Sequence, residues 1–503
     1  MQANPSSADY KELYEQQVAV NAALAHELRQ LKKLIYGAGG ERFVPSQDAT
    51  KPTLQLALDL NAETIAQCKI TAATKVEYIR TKTAVIPHKP KVHPGRMKLP
   101  DHLRRKTFIL EPDMDVSGLE KIGEEVTEVL EFTPGEFFVN QYIRPKYAAP
   151  LPDGTSTVIT ASLPGRLLEK CMAGEGLLAQ MIVDKYVDHL PIHRQLQRYG
   201  RMGVRIAQST SNDWFRMTLN HLCSLYEVHK KVTLTTGYLN ADETPIKVLD
   251  EDKKGTTHRG YYWVYYNSEQ RLVLFDYRPG RGRAGPDDIL KDFQGYLQTD
   301  GYSAYEDFDR RSGITLLHCM AHARRKFFDA LQNDKDRAEH ALALFQQLYA
   351  IERSIKEAAL TGKAVVQVRQ QEAVPILQNL KSWMEEEYPK IVVKKSAIAQ
   401  AMAYCLPRWD KLCIYTTDAS LNIDNNQVEN AIRPVAVGRK NYLFAGSHEA
   451  AQRAAMVYSL LATCKLHGIN PYDWLKDVLQ RMHLYTTSSI EELLPQKWEK
   501  PSD

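Results

Sequence analysis

No run of this 503-residue chain is long and apolar enough to cross a membrane, and no signal peptide opens it. Its seven cysteines are scattered without a pairing pattern, so a disulfide framework is excluded and reduced thiols in the cytosol are expected. No internal repeat or low-complexity run is evident, and the length allows several domains around a large core. A strong excess of one charge is missing too. The formal net charge of +4 argues against a uniformly basic surface, although a basic groove remains compatible with so mild an average. The one basic glycine-rich loop, Arg278-Pro279-Gly280-Arg281-Gly282-Arg283, lacks nucleotide-binding spacing.

What the chain does have is three acidic contexts far apart: Ala241-Asp242-Glu243-Thr244-Pro245, Thr299-Asp300-Gly301-Tyr302 and Asn425-Asn426-Gln427-Val428-Glu429. The first two acids are expected at the ends of apolar, strand-like runs, and Glu429 in a polar stretch that opens a helix. Two strand-end aspartates and a helix glutamate form an all-oxygen site for Mg²⁺ or Mn²⁺. Such a site can hold two ions about a phosphodiester. Asp242 follows Tyr238-Leu239-Asn240. The runs 261–266, 271–276, 296–299 and 314–318 supply further strands, with 267–270 as a hairpin connection and 286–293 as a short helix. This order fits a multidomain α/β protein with a ribonuclease-H-like catalytic core, residues 231–320 and 411–455. Residues 321–410 read as a helical insertion, or alternatively as a separate helical domain.

A shifted assignment is open at two of the acids, because Glu243 adjoins Asp242 and Asp424 precedes Asn425. Strand alternation places Asp242 and Glu243 on opposite faces, so only one of them is expected to point into the site. Arg324, Arg325, Lys326, Arg433, Arg439 and Lys440 are candidates for phosphate contact, or simply solvated cations. His318, Cys319 and His322 resemble a zinc cluster but lack a fourth ligand nearby.

Upstream, residues 1–42 carry a short imperfect heptad. Tyr14, Asn21, Leu28 and Ile35 fall at a, and Gln17, Leu24 and Leu31 at d. A coiled coil giving a homodimer or larger assembly is expected; the alternative is an amphipathic helix packed on its own chain. Residues 43–110 read as a linker and a basic, proline-broken arm that includes Arg104, Arg105 and Lys106, suited to phosphate tracking or to a solvated tether. Residues 111–170 read as a small β domain. Residues 171–230 read as a helix-turn-helix, with Leu190–Tyr199 as first helix, Gly203-Val204 as turn and Ser209-Thr210 capping the second. Residues 456–503 read as a C-terminal helical tail.

Taken jointly, these strings resemble transposases of the insertion sequence 66 family, of the Asp-Asp-Glu class. The resemblance lies in Lys185-Tyr186-Val187-Asp188-His189-Leu190-Pro191 and in His318-Cys319-Met320-Ala321-His322-Ala323-Arg324-Arg325-Lys326-Phe327. It continues in Asn425-Asn426 with Glu429, Arg433 and Pro434, in Gly438–Ser447 and in Leu466–Tyr472. It implies that Asp242, Asp300 and Glu429 ligate Mg²⁺ to free a 3′-hydroxyl at the element's ends and join it to target DNA. Helper proteins are implied as well, as is a bacterial cytoplasmic location. The family often carries a cysteine cluster just before Arg144-Pro145-Lys146-Tyr147. No cysteine lies between Cys68 and Cys171, so no zinc is expected. A regulator with a decayed core, and a metal-dependent nuclease that cuts without joining, are the other two readings.

Overall fold

Alternating apolar residues start the described structure. The computed structural model describes residues 99–113, 120–133, 135–150, 156–169, 171–250, 255–486 and 489–500. The heptad and most of the basic arm therefore lie outside the described residues. Strands β2 (Glu120–Thr133) and β3 (Glu136–Pro150) form an antiparallel hairpin in which Leu130 faces Val139 and Phe132 faces Phe137. Gly135, at φ +92°, supplies the turn. Strands β1 (Arg104–Ile109), parallel, and β4 (Ser156–Thr160), antiparallel, both pair with β3. The basic arm thus ends sooner than expected, since Arg104, Arg105 and Lys106 belong to a sheet strand. The ladder to Phe138–Asn140 draws them in. Arg105 is engaged by Glu128 at 2.9 Å and donates to the carbonyl oxygens of Pro100, Asp101 and Leu103.

Helices α1 (Glu175–Tyr186), α2 (Ile192–Arg201), α3 (Gln208–His221) and α4 (Cys223–Leu234) follow. Two helices joined by a turn at Gly203, φ +83°, stand where the sequence placed them. The cap differs: α3 begins one residue before Ser209, with Ala207 at its N-cap and no side-chain cap. Burial of Val204 and Ile206 anchors the entering chain, so a hydroxyl is not needed to start the helix. Helix α4 is fastened to the next sheet by Tyr226, whose hydroxyl donates to Phe275 O at 2.8 Å. His229 lies 2.8 Å from Val273 O, and burial pushes its pKa down to about 4.

The second sheet has five strands in the order β7-β6-β5-β8-β9. They are β5 (Tyr238–Leu249), β6 (Thr257–Asn267), β7 (Leu272–Arg278), β8 (Gly295–Thr299) and β9 (Ile314–His318). β5, β6 and β7 are an antiparallel meander; β8 and β9 run parallel to β5. One face packs on helices that include α11 (His448–Leu466). The opposite face packs on Ile289, Leu290, Phe293, Tyr305 and Phe308, contributed by α5 (Ala284–Ile289) and the turns around β8. Ser459 and Thr463 of α11 accept from the backbone N–H groups of Phe275 and Val273, so the β7 edge is covered and cannot recruit a further strand. The expected boundary at residue 455 falls within α11, the helix that covers this edge of the sheet.

Between β9 and the third acid come α6 (Met320–Asp329), α7 (Lys335–Glu357), a helix at Lys363–Val368 that continues through a π turn into α8 (Val374–Lys390), and α9 (Ala397–Cys405). These helices share one apolar core containing Phe327, Phe345, Leu380 and Met402, and Leu317 of the sheet joins it. Buried Arg369 orders the exit. It pairs with Glu352 at 2.7 Å and donates to the carbonyls of Tyr415, Asp418 and Leu421. Then come α10 (Asn426–Tyr442), α11 and α12 (Pro471–Arg481). No helix among the described residues is long and apolar enough to cross a membrane.

Candidate active site

Asp242 lies inside β5 rather than at its end, because β5 stays paired with β6 as far as Leu249. The strand that stops is its other neighbour. The β5–β8 ladder ends at Asn240 and Gln298, and Asp300 follows directly as β8 gives out. The two acids thus meet where one side of β5 loses its partner, as expected for the end of an open sheet. Asp300 Oδ1 accepts from Tyr302 N at 2.8 Å, which fixes a tight turn. Gly301 sits at φ +84°, and a Cβ there would lie 3.0 Å from Arg408 Nε and 3.2 Å from the Tyr404 hydroxyl. The backbone angle favours glycine, and a Cβ would press on both of these side chains.

Ligand atoms of Asp242, Glu243 and Asp300 all lie within 4.8 Å of one another. The expectation that only one of the adjacent acids reaches the site is therefore corrected. Alternation holds along the strand, but β5 has an open edge beyond Asn240, and the longer Glu243 side chain reaches Asp300 past it. Burial raises the Asp242 pKa well above the usual carboxylate range, and the charges of Glu243, Asp300 and, less strongly, Glu429 push it the same way. Glu243 is raised by burial and held back by Arg281. Arg281 is a single cation against three acids, and a hard divalent cation is the partner the remaining oxygens suit.

Glu429 stands in the first turn of α10. Its carboxylate influences Asp242 but groups with Cys319 and His322 instead, with His322 Nε2 at 3.8 Å from Oε1. The three predicted acids thus share one neighbourhood, while only the two aspartates fall in one tight cluster. Asn425 registers α10 against the sheet: its side chain donates to Ala241 O at 2.9 Å, and its backbone N–H donates to Cys319 Sγ at 3.1 Å. A buried network of Tyr238, Asn240 and Gln298 holds the approach to α10, with Gln298 donating to Asn422 O at 2.9 Å. His318 is buried beside Thr299 with its pKa lowered to about 3, chiefly by burial, so it serves the core.

Two residues of the helical insertion belong to the site and escape sequence reasoning. The Tyr404 hydroxyl donates to Asp300 O at 2.5 Å, and Arg408 reaches Gly301 O and Glu306. They lie more than a hundred residues beyond the turn they support, and no local motif marks them. The candidate cations divide. Arg324, Arg325, Lys326, Arg433 and Lys440 are exposed. Arg324 and Arg325 line a groove with His322, Asn426 and Glu429. Arg439 instead donates to Pro245 O, Arg104 lies 3.8 Å from Glu136, and Lys106 sits 4.3 Å over the Phe138 ring.

The family model described as "Transposase IS66 family" matches residues 170–453, more than half of the chain and all of this site. The chain belongs to the IS66 transposase family. Models of the IS66 C-terminal element and of the "Transposase C of IS166 homeodomain" match residues 459–496 and 23–107. Among relatives, the uncharacterised protein y4qI of Sinorhizobium fredii (strain NBRC 101917 / NGR234) is 35% identical over 428 residues, 81% of this chain and 78% of its own. The uncharacterised protein y4jD of the same strain is 29% identical over 504 residues, covering 94% of each. Family membership supports a transposase role with DNA as partner.

The expectation of no zinc is overturned by a further match. The model described as the zinc-finger binding domain of transposase IS66 covers residues 116–149, so the β2–β3 hairpin is that module. The match follows the hairpin segment as a whole rather than cysteines. Those residues contain neither cysteine nor histidine, so they offer no thiolate or imidazole to a zinc ion.

Proposed function

We propose that this IS66 family member is the DNA transposase of an insertion sequence, acting from a ribonuclease-H-like core in the cytoplasm. The reading is carried by the meeting of Asp242 and Asp300 where β8 ends, with Glu429 presented beside them by α10. The strand order β7-β6-β5-β8-β9, a meander followed by two parallel strands, supports that core. Asp242, Asp300 and Glu429 would hold divalent metal, Mg²⁺ or Mn²⁺. When bound, the metal would supply charge neutralisation at the phosphate and polarisation of the attacking oxygen.

The protein's own part is placement. Asn425 sets the height of Glu429 against Asp242; Tyr404 and Arg408 hold the Asp300 turn. Water attacks the phosphorus at an element end, its proton leaves to solvent, and the P–O3′ bond breaks to free a 3′-hydroxyl. That hydroxyl attacks a target phosphodiester in turn, and the target's own 3′ oxygen departs. Holding two ends calls for self-association, for which the heptad at residues 1–42 is the candidate.

The direct test is strand transfer with matched element ends, target DNA and Mg²⁺, with accessory proteins supplied. Joined products are expected; cutting without joining would favour a nuclease. In the groove, Arg324→Ala combined with Arg325→Ala should weaken binding to end DNA at all sequences alike. The salt dependence should flatten by about one unit of log–log slope per arginine lost. A fluorescence-anisotropy salt series measures this, and an unchanged slope would remove the pair from the DNA path.

A further inference from the structure

The ion pair between Glu243 and Arg281 is unequal. Glu243 Oε1 takes both contacts, accepting from Arg281 Nε at 2.9 Å and from Nη2. The side chain is only 2% exposed, yet Oε2 is buried and has no hydrogen-bond partner among the described residues. An unsatisfied buried carboxylate oxygen is costly and needs a reason. That same carboxylate stands within 4.8 Å of its counterparts on Asp242 and Asp300.

Arg281 is 44% exposed, whereas its partner is enclosed. It lies between Gly280 and Gly282, and a Cβ added at Gly282 would meet nothing within 4 Å, so that side of the loop is open. The guanidinium also rests 3.9 Å from the ring centroid of Tyr302, whose hydroxyl donates to Arg281 O at 3.1 Å. The loop is therefore tied to the turn that presents Asp300. By contrast Arg278 and Arg283, on either side, are engaged by Asp276, Asp288, Asp287 and Asp307.

We propose that Glu243 is a fourth carboxylate ligand of the metal site, kept in reserve by Arg281, which competes with the metal for it. The inference rests on the metal-site reading of Asp242 and Asp300 above. With metal held by the aspartates, Glu243 would turn from Arg281 towards the site as a further oxygen ligand. A DNA phosphate that engages Arg281 would favour the same turn from the other side. Metal and DNA binding then reinforce each other, and the coupling is reciprocal.

The test uses Mn²⁺ alone as probe, followed by its paramagnetic resonance, on the full chain without DNA. Glu243→Gln should weaken Mn²⁺ binding about tenfold. Arg281→Gln should tighten it by a similar factor, and should do nothing in a Glu243→Gln background. Melting temperatures of each variant confirm folding. A merely structural ion pair would move both single variants in the same direction, or neither. That result, with Asp242→Asn still abolishing Mn²⁺ binding, would overturn the proposal and leave the metal site standing. If Asp242→Asn binds Mn²⁺ as tightly as the parent, the metal site falls and the reserve ligand with it.

Discussion

Asp242→Asn, Asp300→Asn and Glu429→Gln are each expected to reduce cleavage and joining by about three orders of magnitude or more, with the fold retained. Every change removes one charged oxygen ligand at nearly constant volume, and losing several kcal/mol of transition-state stabilisation has this size. The surroundings explain why folding should survive. Asp242 and Glu243 are crowded acids whose charge is unfavourable without a cation, so neutralising Asp242 relieves repulsion. Asp300→Asn keeps the side-chain oxygen that accepts from Tyr302 N, and its backbone carbonyl still receives Tyr404. Glu429 lies on a helix registered by Asn425 rather than by its own carboxylate. Cleavage of a labelled element end, run beside circular dichroism melts, measures both halves. A variant with near-parental activity in Mg²⁺ would show that residue to be misassigned, and Glu429 meets the sharper challenge because its carboxylate sits with His322.

The second large effect separates binding from chemistry. End DNA should bind in EDTA, in Ca²⁺ and in Mg²⁺, because phosphate contacts come from fixed cations such as Arg324 and Arg325 on α6 and from helix ends. Cleavage should require Mg²⁺ or Mn²⁺. Without metal, Asp242, Glu243 and Asp300 repel one another and the approaching phosphate. Calcium's larger, looser shell should support binding with little cutting. A gel shift and a cleavage assay on the same DNA decide the matter. Binding in all three conditions with no cutting in Mg²⁺, helpers included, would favour a regulator with a decayed core. Cutting in EDTA would sink the metal mechanism.

Much of the architecture was legible because it is written in local pattern. The aromatic and β-branched runs at 261–266 and 271–276 alternate or stay apolar as sheet strands must, and both form strands. The helical reading of 321–410 rests on three- and four-residue apolar steps such as Leu377, Leu380 and Met384, which are buried together in α8. Misreadings occurred where pairing outranks pattern. The strand at Arg104–Ile109 is too basic to stand out, and exists through its ladder to β3. Residue 455 falls inside α11, which the β7 edge recruits through contacts that local pattern does not show.

The sequence by itself determined the family and the order of strands and helices along the chain. Residue type and spacing along the chain are sufficient for these. Only the tertiary structure decided how the acids share the site. It brought Glu243 beside Asp242 and Asp300, since the reach of a side chain past a strand edge depends on where the neighbouring strand stops. It turned Glu429 towards His322 and recruited Tyr404 and Arg408 from the insertion. Such contacts join residues far apart in the chain, and short-range periodicity carries no record of them.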